Sequence, residues 1–292
     1  MGFWSVLLGG KQLSPEEEKQ EQEDKNFDLL KYDGVRAMKT GRADYAVRCF
    51  TEALKLKEDL EIHDYLSQAL LSQGDLTSAL AELQMLSKAE PKNASIQVRI
   101  AQVAYMEEDY AAMVAACEQA MTLEPENVHL HFLYAQAYQG QGNIVGAIAM
   151  LTKAIAMQED YADAYLLRGQ MLLGMGDTSG ADADATWLLE HVGAYEEALL
   201  LKARIEAAKG NIDEAIKVYG LVTEVNPFSI EAFRERGQLK FDRGDKAGAE
   251  QDMKTVLELD PNQLADVSGE YSAEGIEQRV KQAYSAVNPL GL

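Results

Sequence analysis

Two glycine-rich stretches are the parts of this sequence that come nearest to a known chemical motif. Residues 140–146 read GQGNIVG and residues 174–180 read GMGDTSG. Loops of this kind can hold a phosphate through backbone N–H groups, but they follow a strand and the P-loop form carries a lysine. Neither stretch meets these conditions, so the glycines predict no nucleotide site and no bound cofactor.

The titratable residues do not suggest a catalytic or metal-binding set either. His129 and His131 stand two positions apart, which on a helix points their rings away from each other. The sequence has no metalloprotease-type histidine pair and no closely spaced cysteines. Neighbouring acids such as Asp182 and Asp184 are interpreted as solvated helix charges. We therefore predict no catalytic residue, no metal site and no enzymatic activity.

A regular row of polar residues is the feature that suggests binding. From the second to the seventh repeat of a 33–34-residue period, one position carries a long polar side chain. These residues are Gln68, Gln102, Gln136, Gln170, Arg204 and Gln238. Three positions further on, a second row includes Tyr105, Gln139, Leu173 and Phe241. Since residues three or four apart share one face of a helix, the two rows should lie side by side.

Two interpretations of the glutamine row remain open. A primary amide both donates and accepts hydrogen bonds, so such a row can bind an extended peptide backbone while the second row forms side-chain pockets. Arg204 and Arg234 could then hold an acidic group of the ligand. Alternatively, glutamine recurs only because it suits a helix and the units were duplicated.

The same period marks the elements that must position these residues. A small residue recurs at Ala46, Ala79, Met113, Ala147, Ala181, Ala215 and Ala249, at intervals of 34 except for the first. Near the end of four units stands a proline, which stops a helix. In the middle of most units a glycine suits a left-handed turn, and the following Asp or Asn can cap the next helix. These cap residues are Asp75, Asp109, Asn143, Asp177, Asn211 and Asp245.

This pattern of helix, tight turn, helix and proline resembles the tetratricopeptide repeat. The resemblance implies an all-α fold, a right-handed α-solenoid of about seven repeats, with the first helix of each repeat on the concave side. One departure concerns the aromatic residue expected early in the first helix, which is present as Tyr165 and Phe233. Five units have other residues there and are expected to pack more loosely: Leu30, His63, Gln97, His131 and Leu199.

The organisation predicted from these marks has four parts. They are an apolar N-terminal segment (1–13), an acidic helix extension (14–26), the solenoid (27–263), and a capping helix with a tail (264–292). The seven repeats are 27–59, 60–93, 94–127, 128–161, 162–195, 196–229 and 230–263. Ser14 and Pro15 have the residue types of a helix start, so the first helix should run from about Pro15 into Thr40.

Charge and cysteine content narrow the range of partners. The net charge of -21 disfavours nucleic acid, because an acidic surface repels phosphate. Cys49 and Cys117 lie in apolar helical stretches, which predicts buried free thiols in a reducing compartment and a cytoplasmic location. We expect a scaffold or adaptor that binds a protein or peptide in its groove.

An alternative function uses the N-terminus. Phe3, Trp4, Val6, Leu7 and Leu8 make residues 1–10 apolar, and such a segment can insert at a lipid surface or dock on another copy. The protein would then be a membrane-proximal or self-associating assembly scaffold. The alternative without a binding role is that this segment is an unstructured end, or that it packs as a strap on the first helices. Oligomeric state is left open.

Overall fold

The computed structural model describes residues 14–260, and within that range the chain is all-helical. Helices pair in sequence order to give seven helical hairpins, as predicted. Their bounds are α1 Pro15–Lys39, α2 Ala43–Leu56, α3 Leu60–Gln73, α4 Leu76–Ala89, α5 Ala94–Met106, α6 Tyr110–Leu123, α7 Val128–Gly140, α8 Ile144–Met157, α9 Ala162–Gly174, α10 Thr178–His191, α11 Glu196–Ala208, α12 Ile212–Val225, α13 Ile230–Asp242 and α14 Lys246–Leu259. The segment 1–13 and the predicted capping helix lie outside the described residues.

The chain divides into two compact units, at residues 1–150 and 151–292. The described part of the N-terminal unit contains α1 to α7 and the first half of α8. The described part of the C-terminal unit contains the rest of α8 and α9 to α14. Within each unit, consecutive helices from α1 to α7 and from α9 to α14 contact each other, and alternate helices such as α5 and α7 or α9 and α11 also meet.

The turn inside each hairpin has the predicted geometry. Six of the seven turns contain a glycine at positive φ, and the turn between α5 and α6 has Glu108 at φ 58° instead. The aspartate cap prediction is confirmed: Asp75, for example, accepts a hydrogen bond from the backbone N–H of Ser78. The prediction for Asn211 is wrong: its side chain accepts no hydrogen bond from the start of α12, and its Nδ2 donates to Oε2 of Glu206 (2.8 Å).

Small residues allow close packing between the two helices of a hairpin. Ala46 is fully buried in the first hairpin. A Cβ added to Gly34 would lie 2.5 Å from the ring of Phe50, so only glycine fits the observed spacing. In the C-terminal unit a Cβ at Gly237 would lie 3.3 Å from Asp252. The core of each unit is therefore a row of interlocking hairpins rather than one centre.

The expectation of looser packing in five repeats is not confirmed. At the position where the aromatic was expected, His63, Gln97, His131 and Leu199 are buried. His63 lies between two carboxylates, with Nδ1 2.5 Å from Glu82 and Nε2 2.7 Å from Glu58. Gln97 donates to Ser87 (2.6 Å). His63 and Gln97 therefore fill this position by hydrogen bonding to a second helix or to the connecting loop.

The interpretation of Asp182 and Asp184 as solvated charges is also wrong. Asp184 is buried and receives two hydrogen bonds from Arg168 (2.9 and 2.7 Å). Asp182 pairs with Lys202 (2.6 Å) and with a second lysine. The same arrangement recurs two repeats later, where Arg236 donates twice to buried Asp252. In the C-terminal unit these two arginine pairs thus join the two helices of a hairpin, and the pairs of Asp182 connect one hairpin to the next.

The start of α1 and the two cysteines agree with the sequence-based expectations. Ser14 caps α1 and shares a reciprocal capping box with Glu17, and α1 runs unbroken to Lys39. Cys49 and Cys117 are buried and unpaired with each other. Burial, helped by the neighbouring Glu118 charge, raises the pKa of the Cys117 thiol to about 12. No helix between residues 14 and 260 is both long and apolar enough to cross a membrane.

Candidate functional site

In each unit the first helices of successive hairpins lie side by side and form a continuous surface, here called the first-helix face. Side chains bridge the neighbours directly. Lys31 of α1 donates to Glu61 of α3 (2.5 Å), and Arg99 of α5 donates to Asp64 and Ser67 of α3. In the C-terminal unit α9 contacts α11, and α11 and α13 are linked by ion pairs.

The N-terminal unit brings five of the predicted site residues onto α3, α5 and α7. Gln102, Tyr105 and Gln139 are exposed, whereas Gln68 and Gln136 are half-buried. The amide of Gln68 already donates to Asp64 (2.8 Å). The ring of Tyr105 rests edge-on against Tyr110, with centroids 6.5 Å apart. Exposed amides and a fixed aromatic ring therefore stand on adjacent helices.

The C-terminal unit carries the other six predicted residues on α9, α11 and α13. Gln170, Arg234, Gln238 and Phe241 are exposed, and Leu173 and Arg204 are half-buried. Gln238 donates to Asp242 on its own helix (2.9 Å). The exposed Arg234 makes no side-chain hydrogen bond or ion pair with any residue in the range 14–260.

Arg204 is engaged within the protein. Its guanidinium donates to both carboxylate oxygens of Glu235 (3.0 and 2.8 Å) and also pairs with Glu231. The hydroxyl of Tyr219 donates to Glu235 as well (2.5 Å). The hydrogen bond with Glu235 raises the pKa of Arg204 above its usual value. A ligand acid would have to compete with two resident carboxylates for this group.

The sequence-based reasoning missed the acidic residues that pair with lysine and arginine side chains of the first-helix face. Glu61, Asp64 and Glu235 lie 30 to 35 positions from their cationic partners, which is close to one repeat. The hydrogen bond with Lys31 lowers the pKa of Glu61, and it raises that of Lys31 in turn. Opposite charges at similar positions of consecutive repeats were the available signal.

A cleft opens beside this face, where α3 meets the loop that precedes α5. Its volume is about 440 Å³, and Leu60 and Ile96 contribute apolar walls. The charged groups lining it include Glu61, Asp64 and Arg99. The cleft is large enough to receive one long side chain of a bound peptide, and three carboxylates including that of Glu90 outnumber the one arginine.

The paired helices, repeating at intervals of about one hairpin, define a class: an all-α helical repeat protein. The family model described as tetratricopeptide repeat matches residues 34–86, 66–128, 166–224 and 200–263, and a second model of the same description matches 104–171. The chain belongs to the tetratricopeptide-repeat family. Proteins of this family generally serve as scaffolds for protein–protein interaction.

Solved structures show the same fold at low sequence identity. A tetratricopeptide-repeat protein from Parabacteroides merdae is 15% identical with a TM-score of 0.68, over 88% of this chain and 98% of that one. MamA of Desulfovibrio magneticus is 15% identical with a TM-score of 0.54, over 58% and 96%. YrrB, described as having an unusual peptide-binding site, is 17% identical with a TM-score of 0.50, over 62% and 93%. Among curated proteins, none matches the chain.

Proposed function

We propose that the protein is a non-enzymatic adaptor that binds a peptide or helical segment of a partner on the first-helix face of its N-terminal unit. The supporting observation is the set of exposed side chains on adjacent helices, Gln102 and Tyr105 on α5 and Gln139 on α7. Each amide can both donate to and accept from a peptide group. The similarity in fold to YrrB, whose description mentions peptide binding, is consistent with this function.

The charge of the cleft beside α3 and α5 indicates which side chains of the proposed ligand would be preferred there. Of the three acids that line it, Asp64 pairs with Arg99 and Glu61 pairs with Lys31, whereas Glu90 has no cationic partner in the range 14–260. Because unlike charges favour binding and like charges oppose it, a lysine or arginine side chain suits this cleft better than an acidic one. The preferred ligand is therefore a segment that places a basic residue beside a stretch of backbone held by the glutamines.

The test is a selection from a random peptide library against the full chain, followed by measurement of binding to variants. In the site variant Gln102→Met and Gln139→Met are combined, which removes both amides without changing the charge. In the matched control Gln84→Met and Gln119→Met make the same change at exposed positions of second helices α4 and α6. With two hydrogen bonds lost at about 0.5–1.5 kcal/mol each, the site variant should bind selected peptides roughly 5- to 150-fold more weakly.

The control variant should bind these peptides within about twofold of the parent, since a twofold change is well under 1 kcal/mol. Equal binding by parent and site variant would place the peptide elsewhere and reject the proposal. Equal weakening in both variants would show that the loss of amides anywhere on the surface, not on the first-helix face, determines affinity. Enrichment of acidic instead of basic residues among selected peptides would reject the preference assigned to the cleft.

A further inference from the structure

The first hairpin exposes a position that the later hairpins bury. Leu29 is the third residue of the first repeat and is 60% exposed, and Tyr32, one turn further along α1, is 71% exposed. The equivalent third residue of the next repeat, Ile62, is 0% exposed. The same position is buried in each later repeat as well, at Ile96, Leu130, Ala164, Ala198 and Ala232.

The reason for this burial is visible in the packing of the later hairpins. Ile62 lies in one apolar cluster with Ala46 and Phe50 of the hairpin before it. In the C-terminal unit Ala232 shares a cluster with Tyr219 and Val222 of α12. The third position is thus the contact that each hairpin makes with the second helix of the preceding one. At Leu29 no described residue plays that part.

We propose that the N-terminal segment of the same chain covers this surface, with residues 3–8 folded back along α1 over Leu29 and Tyr32. The segment itself lies outside the described residues. It enters α1 at Ser14, whose backbone is extended, and carries an apolar run at residues 3–8. This segment, here called the strap, covers the third position of the first repeat, as a preceding hairpin covers that position in each later repeat.

Distances along the chain support this register. With a rise of about 1.5 Å per helical residue, Leu29 and Tyr32 lie about 22 and 27 Å from Ser14 along α1. An extended segment covers about 3.3 Å per residue, so residues 8 to 3 would lie about 20 to 36 Å from Ser14 in the opposite chain direction. The apolar run therefore reaches the two exposed apolar side chains.

Polarity and charge agree with the same register. Residues 9–12 of the strap (GGKQ) would lie beside the first three turns of α1, which are exposed and begin with three glutamates. Lys11 would then face acidic residues of α1, and unlike charges attract. Neither polar stretch would have to bury an apolar partner.

Tryptophan fluorescence tests the proposal, because Trp4 and Trp187 are the two tryptophans of the chain. Trp187 stacks on Tyr165 with centroids 3.9 Å apart, and a Trp187→Phe background keeps an aromatic ring there. In that background Trp4 should emit at a short wavelength and resist acrylamide quenching at every protein concentration. Adding Leu29→Asp with Tyr32→Ser should shift the emission to that of exposed tryptophan and raise the quenching constant severalfold.

A control substitution, Val145→Asp, changes a residue of α8 that is equally exposed and should leave Trp4 protected. Circular dichroism of each variant checks that helicity is retained. Full quenching of Trp4 in the parent would overturn the proposal. Protection that appears only when the mass from light scattering doubles would replace the strap by a second copy, and protection that appears only with anionic vesicles would replace it by a lipid surface.

Discussion

The turn between α5 and α6 gives a sharp test of the repeat geometry, since Glu108 occupies the place of a glycine. Its φ of 58° is the only positive φ at a non-glycine residue between residues 14 and 260. The N–H of Glu108 bonds to the carbonyl of Tyr105 (3.1 Å), and the N–H of Asp109 bonds to that of Ala104 (2.9 Å). These are the two bonds of a Schellman motif, which glycine satisfies without strain.

Replacing Glu108 by glycine should therefore stabilise the N-terminal unit. A residue with a Cβ costs about 1–2 kcal/mol in the left-handed region. Glycine gives back part of this gain, about 0.5–1 kcal/mol, because it is freer in the unfolded chain. The expected net effect is about 1 kcal/mol, equivalent to a rise in Tm of about 2–4 °C for a chain of this size class.

Thermal unfolding followed by circular dichroism measures the effect, and hydrogen exchange of the α5 and α6 amides assigns it to this turn. Two control variants separate strain from charge. Glu108→Gln removes the charge but keeps the strained φ, so Tm should stay near the parent value. Glu107→Gly removes the same side chain at φ -86° and should destabilise. A rise in Tm for both controls, or none for Glu108→Gly, would refute the argument from backbone strain.

Three further predictions follow from burial and charge. Hydrogen bonds from Asn211 and Lys202 lower the pKa of Glu206. The stability that Glu206 contributes is therefore complete above its unfolded-state pKa near 4.5 and is lost as the pH falls through its folded-state pKa. In urea titrations at pH 3–7, Glu206→Gln should lose less stability on acidification than the parent, and an unchanged pH profile would contradict this. Burial raises the pKa of both cysteine thiols. Ellman's reagent should therefore react with neither thiol at pH 8 until urea unfolds the chain. Fast reaction with the folded protein would count against the burial of Cys49 and Cys117. Gly34→Ala should destabilise the protein by about 1–3 kcal/mol because the added Cβ collides with Phe50. Gly174→Ala, whose added Cβ has nothing within 4 Å, should stabilise it by about 0.5–1 kcal/mol. Equal urea midpoints for the two variants would reject the close approach of α2 to Gly34.

The periodic marks of the sequence predicted the hairpins well because each is a local rule. A glycine at the turn and an aspartate after it act on the nearest few backbone groups, so their effect does not depend on distant packing. Asn211 does not cap α12, and its Nδ2 donates instead to a buried acid of the preceding helix, Glu206, a bond that the local rule does not anticipate. Glu108 shows the converse: hydrogen bonds and packing of the hairpin hold a left-handed turn without glycine.

The candidate site was less predictable because pairing between repeats depends on side-chain geometry. Position in the repeat placed Gln102 and Gln139 on exposed first-helix surfaces of one unit. It did not reveal that Asp64 on α3 accepts hydrogen bonds from Gln68 of the same helix and from Arg99 of α5. The periodic spacing fixes which face a residue occupies, but which oppositely charged neighbour reaches it depends on rotamers that the spacing does not determine.

The paired cations bear on what kind of ligand this surface can select. A ligand carboxylate at Arg204 would have to displace Glu235, whose other hydrogen bond, from Tyr219, holds it in place. The displaced acid would remain close to the incoming one, and like charges repel. Exposed glutamines such as Gln102 carry no such penalty, because an amide exchanges water for a peptide group without moving a resident partner. If the proposed function is right, an acidic group of the ligand is therefore disfavoured at Arg204, whereas the exposed amides of the N-terminal unit can bind a peptide backbone without displacing a resident acid.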